Sequence, residues 1–135
     1  MDKPTSIIIH CSYTKSDQDI SADTIREWHF ARGWSDIGYH WVIRRDGTIE
    51  AGRPENRTGA HTQGHNNSIG VCLVGGMSDD REPLFNFNHK QLAAMAILIA
   101  DIKLRHGDDL PVVGHRDFEG VKKACPCFDV RAWLE

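Results

Sequence analysis

The sequence predicts an α/β fold, in which a central mixed β-sheet has helices packed on its faces. Short apolar, β-branched runs at residues 6–10, 68–76 and 111–115 are typical of buried strands. They alternate along the chain with longer segments of helical periodicity, and this alternation favours a layered sheet-and-helix architecture. With 135 residues, of which 40% are hydrophobic and 26% charged, the chain has the size of one domain with one core. We therefore expect residues 1–135 to form a single domain.

The N-terminal half contains a strand, a helix and a hairpin. The strand at residues 6–10 ends on His10. A polar loop follows, and then a helix that begins at about residue 22 behind the N-cap Ser21 and ends at Gly33. Residues on both sides of Asp46-Gly47 alternate in polarity, and this dipeptide is the strongest short-range indication of a β-hairpin.

The C-terminal half begins with a strand at residues 68–76, whose unbroken hydrophobicity predicts a central position in the sheet with Cys72 in the core. A helix is predicted over residues 89–106, where Asn88 and Gln91 form a capping box and Gly107 ends the helix. Its apolar stripe is formed by Leu92, Met95, Ala96, Ile99 and Ile102. A last strand at residues 111–115 ends on His115, and the segment DVRAWL predicts a terminal helix.

Composition and charge exclude several classes of function. The formal net charge of −3 and the pI near 6.2 argue against a protein that binds nucleic acid or a membrane surface, because such proteins usually carry a strong basic excess. No apolar run approaches the roughly 20 residues of a membrane helix, and the N-terminus lacks the features of a secretory signal. We expect a monomer that is cytoplasmic as synthesised.

The four cysteines include a close pair, Cys125 and Cys127, separated only by Pro126. A disulfide across so short a loop would constrain almost none of the unfolded chain. In the cytosol the thiols are expected to be reduced. Burial, reactivity and metal ligation remain open as roles for these two side chains.

Two histidines and one cysteine form a candidate metal site. His10 and His115 each end a short buried strand, and ligand sites in open sheets commonly lie at such strand ends. Cys125 follows His115 on a loop that has room to fold back. A set of two histidines and one cysteine suits zinc and leaves one coordination position open, as in catalytic sites. The alternative is two histidines at the edge of the core and a buried thiol, which would be the better explanation of any one of them alone.

Four longer motifs carry a resemblance to a known family. They are HCSYT at 10–14, GYHWVIRRDGTIEAGR at 38–53, GAHTQGHNNSIGVCLVGG at 59–76 and GHRDFEGVKKACPCFD at 114–129. Together, and in this order, they resemble the zinc-dependent N-acetylmuramoyl-L-alanine amidases. The resemblance is closest to the compact bacteriophage lysozymes that are amidases, and more distant to the peptidoglycan recognition proteins. It covers nearly the whole chain.

The resemblance implies a set of site residues. Zinc would be held by His10, His115 and Cys125. Tyr39 and Lys123 would act in catalysis. His40 and His61 would line the substrate groove. Cleavage of the amide between muramic acid and L-alanine needs a nucleophile at neutral pH, and zinc lowers the pKa of bound water to about 7. An ammonium at Lys123 would stabilise the oxyanion, and such a donor typically contributes about 3 kcal/mol.

Several residues stay outside this set. Cys127 occupies a position where relatives usually carry a small residue, so we interpret it as an idle thiol in preference to a competing zinc ligand or an oxidation partner of Cys125. No carboxylate has the context of a general base. The remaining histidines are expected to be solvated or packing residues; they are His29, His65, His89 and His106.

Two alternative functions belong to other classes. A peptidoglycan-binding module without activity is disfavoured because all three ligand positions are filled. A regulator of a phage RNA polymerase would bind through its N-terminal segment, and the short segment before His10 argues against that role. As an endolysin without a signal peptide, the protein would reach the cell wall after release through a membrane lesion.

Overall fold

The computed structural model describes residues 3–118, 120–121 and 124–134. Within these residues the chain forms five strands, which are β1 (Ile7–Cys11), β2 (Trp41–Ile43), β3 (Ile49–Ala51), β4 (Ile69–Leu73) and β5 (Val112–Gly114). The helices are α1 (Ala22–Ala31), α2 (His89–His106) and α3 (Val130–Trp133), and a single 3₁₀ turn spans His115–Asp117.

The five strands form one mixed sheet in the order β3-β2-β4-β1-β5. The pairs β2–β4, β4–β1 and β1–β5 are parallel, and the β2–β3 hairpin is antiparallel. The central strand β4 is buried at every residue, as its continuous hydrophobicity predicts. Ile9 pairs with Gly114, so the adjacent strands β1 and β5 bring His10 next to His115. The predicted fold class is thereby confirmed.

Alternating side chains give the sheet two apolar faces. On one face, the odd-numbered residues of β1 join the larger core cluster, which α2 covers through Met95 and Ile102. On the other face, Val42 and Cys72 pack with Ile25 of α1 in a smaller cluster. His10 is an even-numbered residue of β1, and alternation therefore directs its ring to the face that α1 covers.

The predicted caps and turn are present. The Ser21 side chain accepts a hydrogen bond from the backbone N–H of Thr24 at the start of α1. Asn88 and Gln91 form the reciprocal capping box of α2. Gly47 adopts a φ of +88° in the β2–β3 turn, a conformation that favours glycine.

The helices differ from the sequence prediction in which residues face the core. In α2, Ala96 is exposed, whereas Ala94 and Leu98 are buried beside Met95, Ile99 and Ile102. In α1, the buried face contains Ile25 and His29, and Trp28 is 40% exposed. Both helices carry apolar residues on more than one face, so periodicity alone left the rotation of each helix open.

Among the described residues, no helix combines the length and the apolar character that crossing a membrane requires.

Candidate metal centre and active-site cleft

A cleft of about 560 Å³ opens where the parallel strands end. One wall is formed by Trp28, His29 and Arg32 of α1, together with Trp34 just beyond it. The floor contains Tyr39 and the three side chains predicted to bind metal, which are His10, His115 and Cys125. The cleft therefore lies at the strand ends, where ligand sites are expected in sheets of this kind.

The three predicted ligand residues converge in space. His10 is 1% exposed on β1, His115 opens the 3₁₀ turn after β5, and Cys125 lies on the loop before α3. Each offers one ligand atom, and these atoms all lie within 4.8 Å of one another. The imidazole rings of His10 and His115 are 4.7 Å apart between centroids. Two imidazole nitrogens and one thiolate form a donor set that suits zinc and leaves one position open.

The Cys125 loop is attached to the sheet by two backbone hydrogen bonds. The N–H of Cys11 donates to the Cys125 sulfur at 3.1 Å. The N–H of Arg116 donates to the Cys125 carbonyl at 2.8 Å and fixes the loop beside the 3₁₀ turn. These bonds place the cysteine between the ends of β1 and β5.

A chain of hydrogen bonds determines which nitrogen of His10 is available for metal. His61 Nε2 lies 3.0 Å from the carbonyl of Ser68 and must donate to it, because a carbonyl only accepts. Burial lowers the pKa of His61 to about 4, so its ring is neutral near pH 7 and its Nδ1 is an acceptor. His10 Nε2 lies 2.9 Å from that Nδ1 and therefore carries the proton. The lone pair of His10 is left on Nδ1, which lies 3.9 Å from the Cys125 sulfur.

Thr62 supports the same pair of rings. Its hydroxyl oxygen lies 3.2 Å from His10 Nε2 and 3.0 Å from His61 Nδ1. Its own position is fixed because the backbone N–H of Thr62 donates to the side-chain oxygen of Asn66 at 2.8 Å. The hydroxyl can accept from His10 or donate to His61, so it reinforces the same tautomers.

Two glycines make room for the His61 ring. A Cβ at Gly70 would lie 2.7 Å from His61 Cγ, and a Cβ at Gly59 would lie 2.4 Å from its Cδ2. Both distances are shorter than any ordinary carbon–carbon contact. The ring thus occupies a narrow slot against the backbone, which holds it at hydrogen-bonding distance from His10.

Tyr39 lies on the cleft floor beside the three residues predicted to bind metal. Its ring centroid is 5.1 Å from that of His10 and 5.7 Å from that of His29. Burial raises the pKa of Tyr39 well above its ordinary value, so the phenol keeps its proton at neutral pH. Tyr39 can act as a hydrogen-bond donor toward a group bound in the cleft.

His29 supports the position of Tyr39. Its Nδ1 accepts a hydrogen bond of 2.8 Å from the N–H of Gly38, and its ring packs against Trp34 at 4.4 Å. Burial lowers the pKa of His29 to about 4, which keeps the ring neutral. The sequence placed His29 among packing or solvated residues, and the structure shows a packing residue that also lines the cleft.

His40 lies beneath the cleft and is 1% exposed. Its Nε2 donates to the carbonyl of Arg57 at 2.8 Å, and its Nδ1 accepts from the N–H of Gly70 at 3.0 Å. Both ring nitrogens are therefore used by the backbone, and His40 is not among the described residues that line the cleft. His61 does line the cleft, so the two residues that the resemblance places in the groove differ in position.

The remaining predicted residues are placed as follows. Lys123 lies outside the described residues, as do Lys122 and Glu119. Cys127 directs its sulfur to the carbonyl of Gly76 at 3.2 Å. Glu50 caps the N-terminus of α1 through the N–H of Ala22, and Glu55 bonds Trp41, Arg105 and His106.

None of the described carboxylates lines the cleft.

Comparison with known proteins decides the family. The family model described as N-acetylmuramoyl-L-alanine amidase matches residues 1–128. The chain belongs to the N-acetylmuramoyl-L-alanine amidase family. An endolysin of Klebsiella phage KP32 is 42% identical over 132 residues, which cover 97% of this chain and 85% of the relative. An endolysin of Escherichia phage T7 is 43% identical over 131 residues, which cover 96% of this chain and 85% of that relative.

Solved structures of amidases and recognition proteins share the fold. The amidase LysC from Clostridium intestinale matches with a TM-score of 0.79 and 29% identity, over 98% of this chain and 85% of its own. Bumblebee PGRP-SA matches with a TM-score of 0.81 and 28% identity, over 99% and 81% of the two chains. The protein is an amidase of the phage endolysin type, a hydrolase of the bond between N-acetylmuramic acid and L-alanine in peptidoglycan.

Proposed function

We propose that this amidase is zinc-dependent and that His10, His115 and Cys125 hold one zinc ion per chain. The observation that carries the proposal is the convergence of their three donor atoms within 4.8 Å at the floor of the cleft. The described residues fit the ion in a second respect, because the hydrogen bonds of His61 and Ser68 leave the Nδ1 lone pair of His10 facing Cys125. Bound zinc supplies Lewis-acid chemistry for amide hydrolysis.

The phenol of Tyr39 is proposed to stabilise the transition state. Its proton is retained at neutral pH, and its ring lies against His10 on the cleft floor. A neutral O–H donor in this place suits the negative charge that develops on the scissile carbonyl oxygen. Because the developing charge is absent from the substrate, this interaction accelerates the reaction without tightening ground-state binding.

Lys123 is proposed as the cationic partner in the same step. Its side chain lies outside the described residues, so the assignment rests on the family resemblance and on its place two residues before Cys125. Lys122 is its matched control, because it carries the same charge one residue away. If Lys123 is a positioned cation, replacing Lys123 with alanine lowers turnover sharply and replacing Lys122 does not.

The groove wall supplies contacts for the substrate. We propose that His61, at the cleft wall, contacts the substrate on its cleft side in addition to positioning His10. For His40 we propose a structural role, since the backbone uses both of its ring nitrogens. Arg32 lies over the Trp34 ring at 5.8 Å on the opposite wall, where a cation complements an acidic stem peptide.

The cellular setting follows from the substrate. Peptidoglycan lies outside the cytoplasmic membrane, so an endolysin made in the cytoplasm must pass a membrane lesion to reach it. We propose this route for the chain, together with a monomeric state and no nucleic-acid or membrane partner. The acidic overall charge supports the absence of a nucleic-acid partner. Binding to a phage RNA polymerase remains a secondary hypothesis, which a pull-down with the polymerase tests.

Zinc content and activity measured together test the proposal. Purified protein should contain one zinc per chain, lose peptide release from cell walls on chelation, and regain it on adding zinc. Cys125→Ser should lose both metal and activity. Cys127→Ser is the matched control in reducing buffer, because its sulfur contacts Gly76 and not the ligand cluster. Full activity in metal-free protein would contradict the proposal, and loss of zinc in Cys127→Ser would contradict the choice of ligand.

A further inference from the structure

Three of the four cysteines lie together at the end of β1. Cys11 follows the ligand His10 and joins the core on the opposite face of the sheet, where Cys125 and Cys127 also pack. The fourth, Cys72, lies in the other core cluster beneath α1. All four thiols are free.

The sulfurs of Cys11 and Cys127 both lie beside Gly76. A point one bond from the Cα of Gly76, where a Cβ would stand, lies 2.8 Å from the Cys11 sulfur and 3.5 Å from the Cys127 sulfur. Gly76 has a φ of +96° and no side chain, so no Cβ fills this place beside the two sulfurs.

The backbone at Cys127 is held in an unfavourable conformation. Its φ is +74°, in the left-handed region that a residue with a Cβ seldom adopts. Hydrogen bonds on both sides of the sulfur fix this geometry, since the Cys127 N–H donates to Ala124 at 2.6 Å and its sulfur bonds the carbonyl of Gly76 at 3.2 Å. The strain is thus retained with the thiol held against Gly76, beside which the Cys11 sulfur also lies.

We infer that Cys11 and Cys127 form a disulfide when the protein leaves the reducing cytoplasm, and that this crosslink leaves Cys125 free to bind metal. Two thiols and one external disulfide, such as oxidised glutathione, give the Cys11–Cys127 bond and two reduced glutathione molecules. The external S–S bond accepts the electron pair and both protons. The cellular setting and the metal-binding role of Cys125 rest on the proposed function, whereas the positions of the thiols do not.

The competing pair is Cys11 with Cys125, which would remove a zinc ligand. The Cys125 sulfur accepts the Cys11 N–H at 3.1 Å and so lies close to Cys11, but it also faces His10 Nδ1 at 3.9 Å, in the ligand cluster. Ligation by zinc would further occupy the Cys125 sulfur. Cys127 then gives Cys11 an oxidation partner that is not a ligand.

The crosslink should make the loop before α3 more resistant to unfolding. The crosslink would tie the segment that holds Cys125 to β1 and close a loop of roughly 115 residues. In the chain-entropy description, the stabilisation by a disulfide increases with the length of the loop that it closes. We expect the melting temperature to rise by roughly 5 to 15 °C on oxidation. Exchange is expected to be slow, since both thiols are largely shielded from solvent.

The test is a thiol map of the zinc-loaded, full-length protein after equilibration for hours in glutathione buffers of increasing oxidised fraction. Free thiols are alkylated under denaturing conditions, and tryptic peptides are analysed without reduction. Fragmentation before Pro126 separates Cys125 from Cys127 in the crosslinked peptide. Expected are two alkylated thiols at Cys72 and Cys125, a Cys11–Cys127 crosslink, and an unchanged zinc content.

Two variants complete the test. Cys127→Ser should show no such crosslink and should lose zinc as oxidation drives Cys11 to pair with Cys125. Cys72→Ala removes one buried thiol elsewhere and should still form the crosslink. Four alkylated thiols in the wild type at the most oxidising ratio would overturn the inference, as would a crosslink at Cys125. The wild-type thiol map tests the inference even if a variant fails to fold. Because the map does not depend on amidase activity, its outcome is separate from the test of the proposed function.

Discussion

Replacing His61 with leucine separates its proposed role in positioning His10 from a role in substrate binding alone. Leucine fits the slot between Gly59 and Gly70 better than a larger aromatic ring would, and it cannot accept the proton of His10 Nε2. His10 would then lose its 2.9 Å partner and retain only the longer contact with Thr62. Its tautomer and ring orientation would be less well defined, and the Nδ1 lone pair would be less available to zinc.

The expected magnitude follows from the buried hydrogen bond. Leaving a buried donor without its partner costs about 1 to 3 kcal/mol. Loss of a hydrogen-bond partner behind a metal-ligating histidine typically weakens metal binding by about 10- to 100-fold, or roughly 1.4 to 2.7 kcal/mol. The two estimates agree, so we expect the zinc dissociation constant of His61→Leu to rise by about 10- to 100-fold.

The assay is competition for zinc with a chromophoric chelator, followed by kinetics at saturating zinc. His61→Gln is the conservative control, because its amide can accept from His10 and donate to Ser68 as the ring does. It should recover a large part of the zinc affinity. If His61→Leu binds zinc as tightly as wild type and only KM for the substrate rises, His61 is a groove residue without a role in ligand positioning.

Three further predictions concern other parts of the structure. Tyr39→Phe should keep zinc and the fold but lower kcat by roughly 100-fold, the typical effect of losing one donor to the developing oxyanion; unchanged kcat would remove Tyr39 from catalysis. Gly70→Ala should weaken zinc binding without changing a ligand, since its Cβ would lie 2.7 Å from the His61 ring; competition with the same chelator measures this. Burial alone would raise the pKa of Glu55, but its bonds to Arg105, His106 and Trp41 outweigh burial and lower it from 4.5 to about 2. The Glu55 carboxylate therefore stabilises the fold fully above about pH 4.5, and this contribution of roughly 2 to 3 kcal/mol is lost as the pH falls toward 2. Glu55→Gln should remove that acid-dependent loss in urea unfolding, and an unchanged pH profile would contradict the assignment.

The fold was largely predictable because local chemistry and hydrophobic pattern agree in each element. The Asp46-Gly47 turn, the Asn88 capping box and the continuous apolar run of β4 each determine a structure with little help from distant residues. The rotation of the helices was not predictable, since α1 and α2 carry apolar residues on several faces. Trp28 and His29 both line the cleft, and the burial of His29 against Trp34 and Tyr39 follows only from tertiary packing.

The convergence of the three proposed ligands was predictable from sequence, but the residues that support them were not. Two histidines at strand ends and a cysteine on the following loop are visible in sequence, and the adjacency of β1 and β5 brings them together. The Ser68 carbonyl orients His61 through a backbone hydrogen bond. A backbone group leaves no residue-type pattern in the sequence, so this support could not be predicted. Thr62 directly follows His61 in the sequence, and its hydroxyl bonds the His61 ring. This adjacency was the one sequence feature that could have indicated the role of Thr62.

The position of Cys127 also depended on long-range geometry. Cys127 is close to Cys125 in sequence. The Cys127 sulfur, however, lies against Gly76, beside which the Cys11 sulfur also lies, and both residues are distant along the chain. From sequence alone we interpret Cys127 as an idle thiol in preference to a zinc ligand or an oxidation partner of Cys125, and only the fold shows that it lies beside the same glycine as Cys11.

The most direct test of the central claim is mass spectrometry of peptidoglycan digested by the zinc-loaded protein, with and without chelator. Hydrolysis of the amide between muramic acid and L-alanine releases peptides with new alanine amino termini and leaves the glycan strands long. The account predicts this product, its loss on chelation and its return with zinc. New reducing sugar ends without alanine termini would indicate a glycosidase, which needs a pair of carboxylates at the scissile bond, and would contradict the account.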